Sequence, residues 1–214
     1  MYKIRDSLAE EKAKEARADR NFILFAAFLL LILAVIVALN TFVYTFVLVD
    51  GRSMMPTLSD GDVLVANKIK DFERGDIVII EGKKINGEPL IKRVIAVGGD
   101  SVKIENGRVH LKKSGEADFT ELEEPYLESE GITYYPDITD PDCTEAQIWE
   151  IPEGEVFFLG DNRTDSSDSR SSFGTCKSED ISGVIENWSI SARPFFNFIH
   201  RIFRPIGELF GKRA

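Results

Sequence analysis

Histidine is nearly missing from this chain. His110 and His200 are the only two in 214 residues. Neither stands in a segment that suggests a Ser/His/Asp triad. Cysteine is as sparse: Cys143 and Cys176 are the only ones, and with no Cys/His arrangement neither is assigned a catalytic role. In an exported domain they are either one bridge closing a long loop or two separate thiols, and the sequence leaves both open. An excess of positive charge is also lacking. The formal net charge is -10, the wrong sign for a phosphate backbone, so no nucleic-acid partner is expected. Between Lys113 and Arg163 there is no Lys or Arg at all, while Glu116, Asp118, Glu121, Glu123, Glu124, Glu128 and Glu130 open an acidic series. That series reads as a solvated insertion rather than a cation site, so no metal and no cofactor are expected. Internal repeats and low-complexity tracts are absent too.

What the chain does have is an unbroken run of eighteen apolar residues, Phe22 to Leu39. At about 1.5 Å rise per residue such a run crosses a hydrocarbon core of roughly 30 Å as a helix. A cleaved signal peptide would carry an apolar region of about 7 to 15 residues with small residues behind it. Here the run is longer and leads into bulky Phe42, Val43 and Tyr44, so a retained anchor over 22–41 is expected. Lys3, Arg5, Lys12, Lys14, Arg17 and Arg20 precede the run and only Arg52 lies close behind it. This asymmetry predicts a cytoplasmic N-terminal segment, 1–21, a single pass through the cell membrane, and everything after about residue 41 on the extracytoplasmic side.

Behind the anchor the signals are those of strands. Phe42 to Val49 is rich in aromatic and β-branched residues and is broken by Gly51, and short apolar runs recur at Val63 to Ala66, Ile77 to Ile80 and Leu90 to Val97, the spacing of an all-β barrel or sandwich. Ser101 to Leu111 is a hairpin by its alternation about Asn106-Gly107, the dipeptide of a type I′ turn. The expected fold is therefore mostly β, an antiparallel barrel or sandwich built from 42–112 and 151–192. Residues 113–150, with Pro125, Pro136 and Pro141 among the acids, read as an inserted acidic subdomain, returning to the sheet at Glu155 to Leu159 and continuing in a strand from Ile181 to Ile190. The tail 193–214 interleaves Phe195, Phe196, Phe198, Ile199, Ile202 and Phe203 with Arg201 and Arg204. It is either an amphipathic helix on a membrane surface or a terminal helix capping the barrel.

Three segments combine special backbone residues with reactive side chains. In Gly51-Arg52-Ser53-Met54-Met55-Pro56 a strand ends at a turn able to present a hydroxyl. In Leu90 to Asp100 the cations Lys92 and Arg93 interrupt a strand whose two faces are both apolar, so at least one charge is pushed toward the core. Alternation does not choose between them, but chemistry does. A guanidinium keeps its proton, whereas a desolvated ammonium can fall to about 7 to 8 and act as a base. In Gly160 to Gly174, Asp168 and Arg170 are suited to a bidentate pair, and several short hydroxyls stand ready to orient an amine.

In this order behind an N-terminal anchor, the three segments resemble the boxes of type I signal peptidases, over roughly residues 22 to 190. The resemblance implies Ser53 as nucleophile, Lys92 as general base, Ser166 as the hydroxyl that hydrogen-bonds the lysine, and Asp168 with Arg170 as a supporting ion pair. Gly51 stands where some members carry a serine that assists the oxyanion hole, so this chain resembles the Gly-bearing branch of Gram-positive enzymes, in which backbone N–H groups, that of Ser53 included, take over that task. It further implies preprotein substrates with signal peptides, small side chains just before the cut, a lipid bilayer as partner and no cofactor. It leaves the oligomeric state open. The rival readings are a non-catalytic membrane-tethered β-domain that binds exported proteins, and a Ser/Lys self-cleaving repressor. Against the repressor stand the apolar run, the acidic balance and the lack of a basic helix-turn-helix segment.

Overall fold

The computed structural model describes residues 2–85, 88–129, 132–134, 146–171 and 173–210. Cys143, Pro136 and Pro141 lie outside the described residues, whereas Cys176 is buried. The chain divides into two compact units, 1–44 and 45–214.

The first unit is one helix, α1 (Tyr2–Phe42). It begins well before the apolar run because the preceding stretch, Ala9 to Ala18, is made of Ala, Glu, Lys and Arg, which lose little rotamer freedom in a helix. It also takes in Phe42, which the sequence pattern had given to a strand; the Val43 amide still donates to the Leu39 carbonyl at 2.9 Å. Within α1 the stretch Asp19–Leu39 is long and apolar enough to cross a membrane.

The second unit is mostly antiparallel β, as the alternation predicts. Its strands are β1 (Tyr44–Leu48), β2 (Val63–Asn67), β3 (Ile77–Ile85), β4 (Glu88–Val97), β5 (Ser101–Glu105), β6 (Arg108–Lys112), β7 (Thr120–Glu121), β8 (Gln147–Glu150), β9 (Glu155–Leu159), β10 (Cys176–Lys177) and β11 (Ile181–Ile185). Seven form one sheet in the order β1-β2-β11-β3-β4-β9-β10, and four form a second in the order β7-β6-β5-β8. The β5–β6 hairpin turns at Asn106 and Gly107 with φ of 52° and 73°, which keeps Ile104 opposite Val109 and Val102 opposite Leu111. Its outer partners are β7 and β8, so the hairpin shares its sheet with strands from the acidic segment 113–150.

The strand expected over Ile181 to Ile190 stops at Ile185, and α2 (Asn187–Phe210) begins two residues later. The Ser189 amide and hydroxyl both donate to the Glu186 carbonyl, which closes the first turn and takes these residues out of the ladder.

The core lies on both faces of β4. On one side Leu90, Val94, Val78, Ile80, Val156 and Phe158 pack together; toward the second sheet Ile95 and Ala96 join Val102, Val109, Leu111, Phe157 and Leu159. Burying each such side chain contributes roughly 1.5–3 kcal/mol before ordering entropy is subtracted. β4 pairs with β3 and β9, and its register to β9 slips between Val94 and Ala96. The chain then turns into β5 through Gly98-Gly99. Buried Asp100 fixes this corner by accepting from Arg74 Nε at 2.7 Å, Arg74 Nη2 at 2.8 Å and the amides of Val97 and Ser114, each at 3.0 Å. Burial alone would raise its carboxyl, but these donors outweigh it and hold the group below the usual carboxylate range.

A methyl group at position 98 would come within 2.8 Å of the Gly154 nitrogen, 2.9 Å of Glu153 Cα and 3.0 Å of the Pro152 carbonyl oxygen, all of them backbone atoms. Gly98→Ala should therefore destabilise the second unit by about 1–3 kcal/mol, read as an earlier midpoint in urea; an unchanged midpoint would mean that the two loops separate freely.

Candidate active site

The serine loop runs from the end of β1 to the start of β2. Met54 and Leu58 are fully buried among Leu64, Ala66, Ile77 and Ile79, which anchors the loop by its apolar side and leaves Ser53 at its rim. Gly51 takes a φ of 94°, a conformation that L side chains rarely adopt, and its amide donates to Asp60 Oδ1 at 2.9 Å. Asp62 closes the base of the loop, accepting from the Ser59 amide at 2.9 Å and from Asn197 Nδ2 of α2 at 2.9 Å. Arg193, one turn earlier on α2, donates to the Thr57 carbonyl at 2.5 Å. From the other side Asn162 clamps the reactive peptide: its amide donates to the Ser53 carbonyl at 3.0 Å and its side chain to the Arg52 carbonyl at 3.1 Å.

Lys92 and Arg93 are both buried, one on each face of β4, so the question left open by alternation has the answer that the strand buries two cations. Arg93 is neutralised. Its guanidinium forks onto Asp161 at 2.8 and 2.6 Å, donates to the Gly75 carbonyl at 2.7 Å, and lies 3.8 Å from the centre of the Tyr126 ring. Among the described residues Lys92 has no carboxylate in hydrogen-bond contact. It is 3% exposed, and Nζ donates to Ser53 Oγ at 2.7 Å and to the Ile91 carbonyl at 3.0 Å.

The electrostatics follow. Burial disfavours the ammonium and is the largest influence on it, whereas Asp168 and Asp161 favour it more weakly, and Lys92 is brought down from 10.5 to about 8. The two carboxylates pull weakly for a structural reason: each is already paired. Asp161 holds Arg93, and Asp168 holds Arg170 through two bonds of 2.9 Å. Arg170 is itself only 2% exposed. Its remaining donors reach the Tyr134 carbonyl at 2.6 Å and the Arg163 carbonyl at 2.9 Å, and Asp168 also accepts from the Gly160 amide at 3.1 Å.

Ser53, Lys92, Asp168, Arg170 and Gly51 are thus brought to one region. Ser166 reaches it without joining Lys92: its hydroxyl is buried and has no hydrogen-bond partner among the described residues. Gly160 is what lets it approach, since a Cβ there would overlap both the Ser166 side chain and the Ser53 carbonyl oxygen. Asp161, Asn162, Thr57, Tyr126 and Arg163 also belong to the site, although the sequence assigns none of them a role. Thr57 donates to Asp161 Oδ2 at 2.5 Å, and Arg163 pairs with Glu124 and donates to Thr133 at 2.6 Å. The run Gly160-Asp161-Asn162-Arg163 was the available signal, but nothing in it names partners a hundred residues away.

A cleft of about 400 Å³ opens in front of the Ser53–Lys92 contact, walled by Val47, Val49, Met54, Ile79, Leu90 and Ile91, with Asp50, Arg52 and Asp165 at its edge. Among the described residues no group of three His, Cys, Asp or Glu side chains could hold a metal ion. The arrangement can do one thing well: an uncharged amine touching a half-buried hydroxyl can take its proton while the oxygen attacks an acyl carbon.

Residues 22–188 match the family model for signal peptidase, peptidase S26. Signal peptidase I U of Bacillus subtilis (strain 168) is 34% identical over 162 residues, covering 73% of this chain and 81% of that protein. Signal peptidase I P of Bacillus subtilis subsp. natto is 35% identical over 169 residues, covering 73% and 83%. Signal peptidase I of Streptococcus pneumoniae serotype 4 is 31% identical over 193 residues, covering 77% and 91%. The chain belongs to the signal peptidase family, peptidase S26, as its three motifs imply.

The lowered Lys92 value carries a stability consequence. The unfolded chain, with lysine near 10.5, binds the proton more tightly than the folded chain at about 8. The cost of burying the ammonium is therefore complete below about pH 8, on the order of 3 kcal/mol, and fades as pH rises toward 10.5. Lys92→Met should raise stability at pH 7, by no more than that amount, with the gain shrinking between pH 8 and 10.5 in urea titrations. A variant less stable than the parent at pH 7 would show that the amine is not held against its solvation.

Proposed function

We propose that this chain is a membrane-anchored serine endopeptidase that cuts signal peptides from exported preproteins, with Ser53 as nucleophile and Lys92 as general base. The observation that carries this reading is the 2.7 Å contact between a buried, depressed amine and the Ser53 hydroxyl at the end of an open cleft. Family membership supports the peptidase activity and the class of substrate.

Neutral Lys92 takes the Ser53 proton as Oγ bonds to the scissile carbonyl carbon, and the carbonyl electrons move onto oxygen. The backbone N–H of Ser53 donates to that oxyanion; Gly51 offers no side-chain hydroxyl for the purpose. As the tetrahedral species collapses, the ammonium of Lys92 returns its proton to the departing nitrogen, leaving the signal peptide's carboxyl carbon esterified to Ser53. Water, deprotonated by the same amine, attacks the ester and releases Ser53. Ser166, with a buried and unsatisfied hydroxyl, is the group that holds Lys92 in line once Ser53 is acylated. Asp168 and Arg170 support the loop that carries it.

In this reading α1 spans the cell membrane once with its N-terminal end in the cytoplasm, and the β unit works on the extracytoplasmic side. A signal helix lying in the bilayer then delivers its cleavage site beside the domain that begins at β1.

Ser53→Ala and Lys92→Ala should each lower kcat for a preprotein by about 10³-fold or more, while the circular dichroism spectrum stays that of the parent. Single cleavage after the signal segment at the parent rate in either variant would overturn the dyad. An inactive parent would return the chain to a tethered binding domain.

A further inference from the structure

α2 is built the wrong way round for a helix in water. Trp188, Phe195, Phe198 and Ile202 recur at the spacing of a single helical stripe, and each is between 49 and 62% exposed. The side turned to the protein is largely polar. Ser189 donates to the Val65 carbonyl at 3.3 Å, Arg193 to the Thr57 carbonyl at 2.5 Å and Asn197 to Asp62 at 2.9 Å, while the Val63 amide donates to Asn197 Oδ1 at 2.8 Å. These bonds fix the helix with its apolar stripe outward. The stripe is continuous with β1, because Phe196 packs 6.0 Å from Phe46, 6.0 Å from Trp188 and 5.6 Å from Phe195, ring centre to ring centre, and Phe46 and Leu48 are themselves exposed. Such a patch has an occupant.

The chain itself indicates which. β1 starts two residues after α1 ends at Phe42. The membrane-length stretch ends at Leu39, and the seven residues from there to Phe46 reach at most about 25 Å, so β1 is tethered near the lipid surface. The composition agrees: one Trp and two Phe on the stripe, with His200 and Arg201 exposed beside it, is the make-up of a helix lying at a lipid surface. α2 also lies almost wholly beyond residues 22–188, the part shared with the family model.

We propose that α2 is an interfacial helix lying in the plane of the lipid surface, its stripe of Trp188, Phe195, Phe198 and Ile202 seated with Phe46 and Leu48 at the boundary of headgroups and acyl chains. Because Arg193 and Asn197 on its inner side bond to the serine loop, the same helix holds that loop at the membrane surface. The inference rests on α1 spanning the bilayer.

The test uses the full chain with Trp149→Phe, which leaves Trp188 as the only tryptophan, in vesicles of phosphatidylcholine and phosphatidylglycerol with or without brominated acyl chains. Brominated lipid should quench Trp188 emission about twofold or more, and Phe195→Ser/Phe198→Ser/Ile202→Ser in the same background should abolish the quenching without shifting the thermal midpoint. Equal emission in the two lipids, with the chain still in the vesicle pellet after alkaline carbonate, would overturn the proposal while leaving the anchor intact; loss from the pellet would overturn both. Trp188 shielded equally in both lipids, with cross-linking between Phe198→Cys copies, would assign the stripe to a second copy of this chain and overturn the proposal as well.

Discussion

The site depends on an imbalance between two forces on one amine. Burial takes Lys92 out of water, and the two carboxylates that favour its charge, Asp168 and Asp161, do not compensate because each is already bound to an arginine. Were Asp161 or Asp168 to lose its guanidinium, it would be a buried unpaired charge and would pull the Lys92 proton back. The bidentate pairs Asp161–Arg93 and Asp168–Arg170 thus have two tasks: they stiffen the loops that carry the site, and they keep negative charge occupied.

This gives the acidic segment a place in the architecture of the site. Tyr126 stacks under Arg93, Glu124 pairs with Arg163, Thr133 accepts from Arg163, and the Tyr134 carbonyl accepts from Arg170. Every one of these partners comes from 124–134, in the stretch between Lys113 and Arg163 where the chain has no cation of its own. The lack of Lys and Arg there, read in the sequence as solvation, is in part complementarity to three buried arginines supplied by β4 and the loop after β9. The Tyr126 phenol, buried and beside Glu124, is raised above its usual range and stays neutral.

Much of the fold was legible because local chemistry states it. Asn106-Gly107 fixes a hairpin, the runs at 63–66, 77–80 and 90–97 fall in strands, and eighteen apolar residues in succession make a membrane-length helix. What was not legible depends on distance in sequence or on a single capping contact. Composition carries the last strand on to Ile190, yet Glu186 and Ser189 start a helix there. Nothing near Asp62 or Thr57 announces Arg193 and Asn197, more than a hundred residues away. Around the site, the three motifs brought Ser53, Lys92, Asp168 and Arg170 to notice through their resemblance to a family. Alternation alone could not say whether Lys92 or Arg93 was buried, because both are.

The proposed chemistry turns on the charge of Lys92 in the folded enzyme. Lysine labelled with ¹⁵N at Nζ, followed by nuclear magnetic resonance in detergent micelles while pH is raised, with Lys92→Arg used to assign the signal, measures it directly. Deprotonation near pH 8 is the predicted result; an Nζ that stays protonated until about 10.5, like a lysine in water, would contradict it.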